Sequence, residues 1–512
     1  MGENVRVPLY SDLSIKEFSG STITKSASKM VNCSLQKKFA GGKEVVYVTQ
    51  RPAISLLHDA SATVSDTKGR GIYYWDNNST EYFINDDTVY RDSYSTTVGT
   101  ISSGTRKCTM VECGSYLVIL DAENNEAWTI NASHTLAQIT DADFPSTLAD
   151  GGAQLDGYLF IMDETGIIYH SDSDDPTAWN ALDFIDAERE NDGGKYLTKI
   201  TDQIVAMGDQ TIEFFYDNAN ATGSVLNRRA DIHYNVGCID GETVWRNNDF
   251  AYFLGVDNRG TIGVYTLQGF ELKKVSKSDL DSYLTELRFT EELKFVCTGF
   301  SSNGGNYYAI TVYYTAAGEI TPAITIILEE SSAMWHLWET NLSTLDGIAG
   351  LPIIEWTTRS GTSDRYGEGI LSNGDIITFL SQPNAFDSSG GGGGYVVDDY
   401  VVDDYVVGAS SGSDAIVMLI RLGELDFGTQ DNKFMRNLEI VGPHTYSDQN
   451  ITIRWSDGST ESYGSDRVLD LDGRRKLSAL GKFNRRHFEF AVTSAEPVWL
   501  EAVEFNIDGG FH

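Results

Sequence analysis

A strand–turn unit recurs along most of the chain, and it restricts the fold more than any other feature. Each unit holds short strands of about four to six residues, rich in β-branched and aromatic side chains. An Asp or Gly turn follows the most apolar strand, and the next strand is often aromatic. Gly71-Ile-Tyr-Tyr-Trp leads to Glu81-Tyr-Phe-Ile-Asn and then Thr88-Val-Tyr-Arg. Tyr116-Leu-Val-Ile-Leu-Asp leads to Ala127-Trp-Thr-Ile, and Tyr158-Leu-Phe-Ile-Met-Asp to Gly166-Ile-Ile-Tyr-His-Ser. Ile200 to Asp217 repeats the theme, as does Phe250-Ala-Tyr-Phe-Leu-Gly-Val-Asp with Gly263-Val-Tyr-Thr-Leu. Recurrence at roughly 40 residues, with several strands per unit, predicts an all-β protein built on a β-propeller. Continuing to Gly369-Ile-Leu-Ser-Asn-Gly-Asp-Ile-Ile-Thr-Phe gives roughly six or seven blades within residues 51–380. The spacing of Leu280, Leu284 and Leu287 predicts one helix over Ser278–Glu292, with Ser278 as its N-cap.

The flanking segments read differently. Residues 1–50 are polar with short apolar patches and predict an extended N-terminal arm leading to a strand at Val45–Thr49. Residues 381–414 contain a glycine run, Gly390–Gly394, which is a flexible linker composition. The linker continues into Tyr395-Val-Val-Asp-Asp, repeated from Tyr400 and truncated from Tyr405. That repeat fits a solvated loop or an edge strand that pairs with a neighbouring subunit. Residues 415–512 alternate apolar and polar positions and predict a small β-sandwich.

Charge excludes some functions. The chain has 74 acidic and 38 basic residues, a formal net charge of −36. Gripping nucleic acid needs clustered Lys and Arg, and so does an anionic membrane surface. An acidic surface does permit DNA to pass without sticking. The five cysteines, Cys33, Cys108, Cys113, Cys238 and Cys297, lack zinc-site spacing and are expected to be reduced and mostly buried. No apolar run reaches membrane-spanning length, and the first residues lack a signal-peptide core. The sequons at Asn78 and Asn341 then read as chance matches.

Several ordered short motifs resemble a known family. They are Asp156-Gly-Tyr-Leu-Phe-Ile-Met-Asp, His170-Ser-Asp-Ser-Asp-Asp-Pro-Thr-Ala-Trp, Gly208-Asp-Gln-Thr-Ile-Glu-Phe-Phe, Tyr234-Asn-Val-Gly-Cys and Gly255-Val-Asp-Asn-Arg-Gly. Near the end of the chain come Arg454-Trp-Ser-Asp-Gly and Leu471-Asp-Gly-Arg-Arg. Together they resemble the packaged-DNA stabilisation proteins of short-tailed bacteriophages, also called tail hub or nozzle proteins. The resemblance spans roughly residues 27–275 and 415–512 and implies a virion tail protein made in the host cytoplasm. It implies self-association into a cyclic ring of about six copies, a homohexamer, below the portal and tail adaptor. It also implies contacts with tail fibre, tailspike or needle proteins, and passage of double-stranded DNA during ejection. The repeated Tyr-Val-Val-Asp-Asp segment is not part of the family pattern.

Candidate chemistry is thin, and the expectation is a protein that is not an enzyme and has no cofactor. Asp172, Asp174, Asp175 and Asp183 are close in sequence, but glycoside chemistry needs two carboxylates about 5–10 Å apart across a cleft. A turn held by Asx hydrogen bonds accounts for them better. They lack the order of a calcium loop, the histidines are scattered, and Gly390–Gly394 lacks the Lys-Ser/Thr of a phosphate loop. The basic run Arg467, Arg474, Arg475, Lys476, Lys482, Arg485 and Arg486 is expected at a subunit interface, since Arg pairs well with carboxylates. Asp217, Asp240 and Glu242 are candidate acids for the lumen of the ring. The rival reading is a carbohydrate-active or host-glycan-binding propeller.

Overall fold

The computed structural model describes all of the 512 residues except 1–2, 11–27, 41–42, 65–66, 93, 188–191, 221, 248, 289–292, 303, 317–318, 340–349, 359–366, 380–385, 390–399, 403–404, 408–413, 428–430, 444–448, 458–462, 474, 493–497 and 509–512. Among the described residues, seven four-stranded antiparallel blades succeed one another. The first four have their opening strands at Gly69–Trp75, Thr109–Cys113, Ala153–Leu155 and Gly194–Ile200. The last three open at Val236–Cys238, Leu293–Ser302 and Ile353–Thr358. The seventh blade has only three strands of its own, and Ile54–His58 supplies the fourth by pairing with Ile376–Phe379. The ring is therefore closed by a strand from the beginning of the chain.

The apolar runs that mark each unit are explained by what covers them. Successive side chains on a strand point to opposite faces. In the second blade, Leu117 and Ile119 pack toward the first blade, against Tyr82 and Ile84. Val118 and Leu120 pack toward the third, against Leu159 and Ile161. Phe160 and Met162 then meet Ile204 and Ala206 of the fourth blade, while Val205 and Met207 meet Ala251 and Phe253 of the fifth. Phe300, Tyr307 and Trp338 of the sixth blade join Ile353, Trp356 and Phe379 of the seventh. Ile370 and Ile376 close back onto Ile72 and Phe83 of the first. A blade has no solvent face along its middle strands, so alternation disappears and the run becomes wholly apolar.

The Asp after such a run closes the next hairpin. The Asp163 carboxylate accepts from the backbone N–H of Thr165 and of Ile167, each at 2.9 Å. Asp257 does the same for Arg259 at 2.9 Å and Thr261 at 3.0 Å. These are Asx turns, which satisfy backbone donors that the strands leave behind. Gly237, in the Tyr234-Asn-Val-Gly-Cys motif, is fixed by close approach: a Cβ there would lie 1.8 Å from the Asp209 carbonyl oxygen.

The helix is found at Ser278–Arg288, with Leu280 and Leu284 buried between the fifth and sixth blades. Its expected last turn, residues 289–292, lies outside the described residues.

The C-terminal domain is a sandwich. One sheet orders Glu3–Pro8, Ala502–Asp508, Lys433–Val441 and Lys476–Phe483. The other contains Met418–Leu425, Arg486–Val492, Asn450–Ser456 and Arg467–Asp470. Lys29–Val31 joins this second sheet to the last strand of the sixth blade, so one nine-stranded sheet runs through both domains. The first 50 residues are thus not a free arm where they are described. Glu3–Pro8 is a sandwich strand, and Cys33–Ala40 pairs with Lys43–Gln50 as a hairpin. Leu9, Cys33, Leu35 and Val48 are buried with Met418, Phe488 and Phe505. Polar spacing residues had hidden that alternation.

The repeated segment is described only in part. Tyr400–Val402 and Tyr405–Val407 pair antiparallel with each other, while the first copy at 395–399 and the glycine run lie outside the described residues. Asn341 lies outside them too.

Two-sided burial predicts that Leu117→Ala and Leu120→Ala, which face opposite blades, each destabilise the chain by about 2–5 kcal/mol. Chemical denaturation of both variants checks this; a near-neutral result for one would mean that its face is open to water.

Candidate functional site

The opening strands of the blades surround a central tunnel, and the groups that fill it form the most distinctive polar site of the chain. At one end, beside these strands, ion pairs tie several blades together. Arg106 precedes the second blade. Its guanidinium reaches Asp150 at 2.5 Å, Asp240 at 2.7 Å and Glu242 at 3.3 Å. Asp240 caps a short 3-10 turn, Gly241–Thr243, directly after the opening strand of the fifth blade, and accepts from the Glu242 N–H at 2.9 Å. Glu242 is buried. It also pairs with Lys294 of the sixth blade at 2.8 Å and accepts from the Lys107 N–H at 2.9 Å. Beside this layer, the fully buried Arg70 of the first blade pairs with Asp121 of the second at 2.8 Å and donates to three backbone carbonyls.

Next down the tunnel comes Lys107. Its ammonium lies 3.1 Å from Glu355 of the seventh blade and donates to the Cys297 carbonyl of the sixth at 3.3 Å. Lys107 thus crosses the axis. Beyond it the tunnel opens into a well of about 520 Å³, walled by Tyr73, Glu112, Tyr196, Lys199, Arg246 and Trp356 among others. Tyr73 donates to Glu112 at 2.8 Å, which holds one wall.

The charges respond to burial and to each other. Burial pushes the Asp150 carboxyl up to about 6, and neighbouring Asp240 and Glu242 add to this against the opposing pull of Arg106. Asp240 is half-buried; partial desolvation raises it, but Arg106 outweighs that and holds it below the ordinary carboxylate range. For Lys107 burial alone would lower the ammonium, and Glu355 reverses the direction. All five cysteines are free and buried. Burial pushes Cys113, Cys238 and Cys297 up to about 12, so no thiolate forms near neutral pH there.

Asp240 and Glu242 are brought together in the ionic layer, whereas Asp217 sits at an outer-strand turn and accepts from Ala219 N–H at 2.6 Å. Glu242 offers no free negative charge to a surrounding lumen. Asp172, Asp174 and Asp175 are exposed at a strand-joining turn, and Asp175 accepts from Thr177 N–H at 3.0 Å, the expected Asx turn. Among the described residues no group of three or more His, Cys, Asp or Glu could hold a metal.

The basic run divides. Arg486 is buried against Asp457, Phe483 and Trp455, and Arg475 donates to the carbonyls of Leu471, Gly442 and Pro443. These two hold the sandwich together. Arg485 pairs with Glu424 and Lys476 with Glu439 at the surface. Arg467 and Lys482 are exposed, and Arg474 lies outside the described residues.

Sequence reasoning did not find Arg70, Arg106, Lys107, Asp150 or Lys294. The one available signal was the Arg106–Lys107 pair set directly before an apolar strand in a chain poor in bases.

A closed propeller whose hub is locked by ion pairs, joined to a sandwich through a continuous sheet, defines a structural β-propeller protein. Residues 27–312 match the model of the phage-stabilisation family described as the bacteriophage P22 Gp10 β-propeller. That is more than half of the chain, and the chain belongs to this family. It is a structural component of the phage virion, of the class that stabilises packaged DNA. No curated protein matches the chain. Solved structures with some likeness include a streptogramin B lyase, 10% identical with a TM-score of 0.39, covering 64% of this chain and 97% of that one. BamB from Moraxella catarrhalis is 8% identical with a TM-score of 0.34, covering 73% and 100%. Similarity at this level says nothing about chemistry. Among the described residues no helix is long and apolar enough to cross a membrane.

Two outcomes test the hub. Arg106→Ala leaves three carboxylates without their shared cation and should cost about 3 kcal/mol in chemical denaturation. Asp150 has a folded-state pKa above its unfolded value. The folded chain therefore keeps that proton between about pH 6 and 4 while the unfolded chain releases it, and this term favours folding more as pH falls through that window. Denaturation across pH 7 to 4 should show the stability difference between the native chain and Asp150→Asn shifting toward the native chain on acidification, by at most about 3 kcal/mol.

Proposed function

We propose that copies of this chain assemble into a ring on the tail axis, below the portal and adaptor, which retains packaged DNA and conducts it during ejection. Family membership is the observation that carries this reading. The blocked hub supports it further. With Lys107 and Glu355 across the tunnel, the genome's path lies outside each propeller, between copies rather than through one. Cyclic symmetry around an axis provides such a path, and about six copies form the ring. A net charge of −36 keeps the duplex from adhering to the wall, because phosphates are repelled rather than exchanged for counterions. The tail adaptor, and a fibre, tailspike or needle protein, are the partners above and below. The interlocked blades suit the mechanical role, since radially repeated sheets leave only short edges.

Particles assembled without this chain test the reading. They should fill with DNA and then lose it, measured as nuclease-sensitive genome after purification. Electron microscopy of complete tails should show the chain as a ring around the axis. Particles that keep their DNA without it would overturn the proposal.

A further inference from the structure

Two exposed apolar patches stand on surfaces of opposite charge. The first is on the outer strand of the third blade, Asp175–Asp186. Its ladder jumps from the Ser171–Trp179 pair to the Tyr169–Phe184 pair, so residues 180–183 bulge outward. Leu182 on this bulge is 73% exposed, and Phe184 beside it is 41% exposed. The strand and its turn also carry exposed Asp172, Asp174, Asp175 and Asp186, with half-buried Asp183 next to Leu182.

The second patch is on the outer face of the sandwich. Phe434 is 47% exposed and pairs across the ladder with the exposed Lys482. Arg436 and Arg485 lie on the same strands and turn. Their side chains are 55% and 46% exposed, while their carboxylate partners Asp508 and Glu424 are set back at 20% and 22%. The face therefore presents its bases outward. Among the described residues Lys482 makes no ion pair within its own chain.

Most of the surface of two such acidic molecules repels. An acid-rimmed apolar knob is attracted only where bases project, and there burial of Leu182 and Phe184 adds to the attraction. Neither patch is complementary to itself, so the contact is head-to-tail, the kind that closes into a ring. We propose that the third-blade bulge of one copy docks on the Phe434–Lys482 face of the next copy, with Leu182 and Phe184 against Phe434 and Asp183 facing Lys482. This rests on the ring reading given above.

The test uses the full chain. All native cysteines are buried, so Asp183→Cys with Lys482→Cys in one chain permits a specific bis-maleimide cross-link between copies. The double variant should give a ladder of covalent multimers on a denaturing gel, and each single variant should give monomer. Lys482→Glu should raise the concentration needed for assembly at least tenfold, and adding Asp183→Lys should restore it. Leu182→Glu, at an exposed bulge, should abolish assembly while leaving the thermal midpoint unchanged. Rings seen by microscopy without any 183–482 cross-link, or cross-linked dimers from a single variant, overturn this interface and leave the ring reading standing. A chain that stays monomeric at every concentration and is absent as a ring from tails overturns both.

Discussion

Every middle strand of the propeller is buried on both faces, and that condition governs the rest of the structure. A strand such as Tyr116–Asp121 has side chains committed to the blade before it and to the blade after it. No blade can bury its own surface. Stability is a property of the closed ring, and each interface depends on its two neighbours being in place. At about 25 cal/mol per Å² of apolar surface, continuous burial of this kind is the main favourable contribution to the fold.

The hub shows what that packing leaves over. Where the opening strands converge, their polar ends cannot reach bulk water freely, and bases are placed among them. Arg70 joins blades one and two, Arg106 reaches Asp150 just before blade three and Asp240 and Glu242 within blade five, and Lys294 ties the fifth to the sixth. Such ions are costly to desolvate and costly to unpair, so they add more to geometric definition than to net stability. The same arrangement removes the tunnel as a conduit.

Much of this architecture was legible in the sequence because its signals are local. An apolar run followed by Asp or Gly is a two-sided strand and an Asx turn, and Asp163 and Asp257 do what such residues do elsewhere. The helix was legible from the spacing of Leu280 and Leu284. The hub was not, because Arg106, Asp150, Asp240 and Lys294 are distant in sequence and meet only after the ring closes. The basic run divides for a related reason. Sequence shows charge but not direction, and Arg475 and Arg486 point inward to carbonyls and Asp457. The first 50 residues concealed strands whose partners lie more than 300 residues away, such as Val31 beside Leu337 and Val5 beside Phe505.

Those distant partners have a consequence during synthesis. The strand Ile54–His58 emerges from the ribosome early but completes a blade only when Ile376–Phe379 has followed, and Glu3–Pro8 waits for Ala502–Asp508. The propeller stays open-edged until Phe379 has been made and the sandwich until Asp508, so a product ended between the two finishes the first domain and not the second. The later closure acts as a molecular proofreading step: only a chain that reaches its last sandwich strand presents the finished surfaces of both domains.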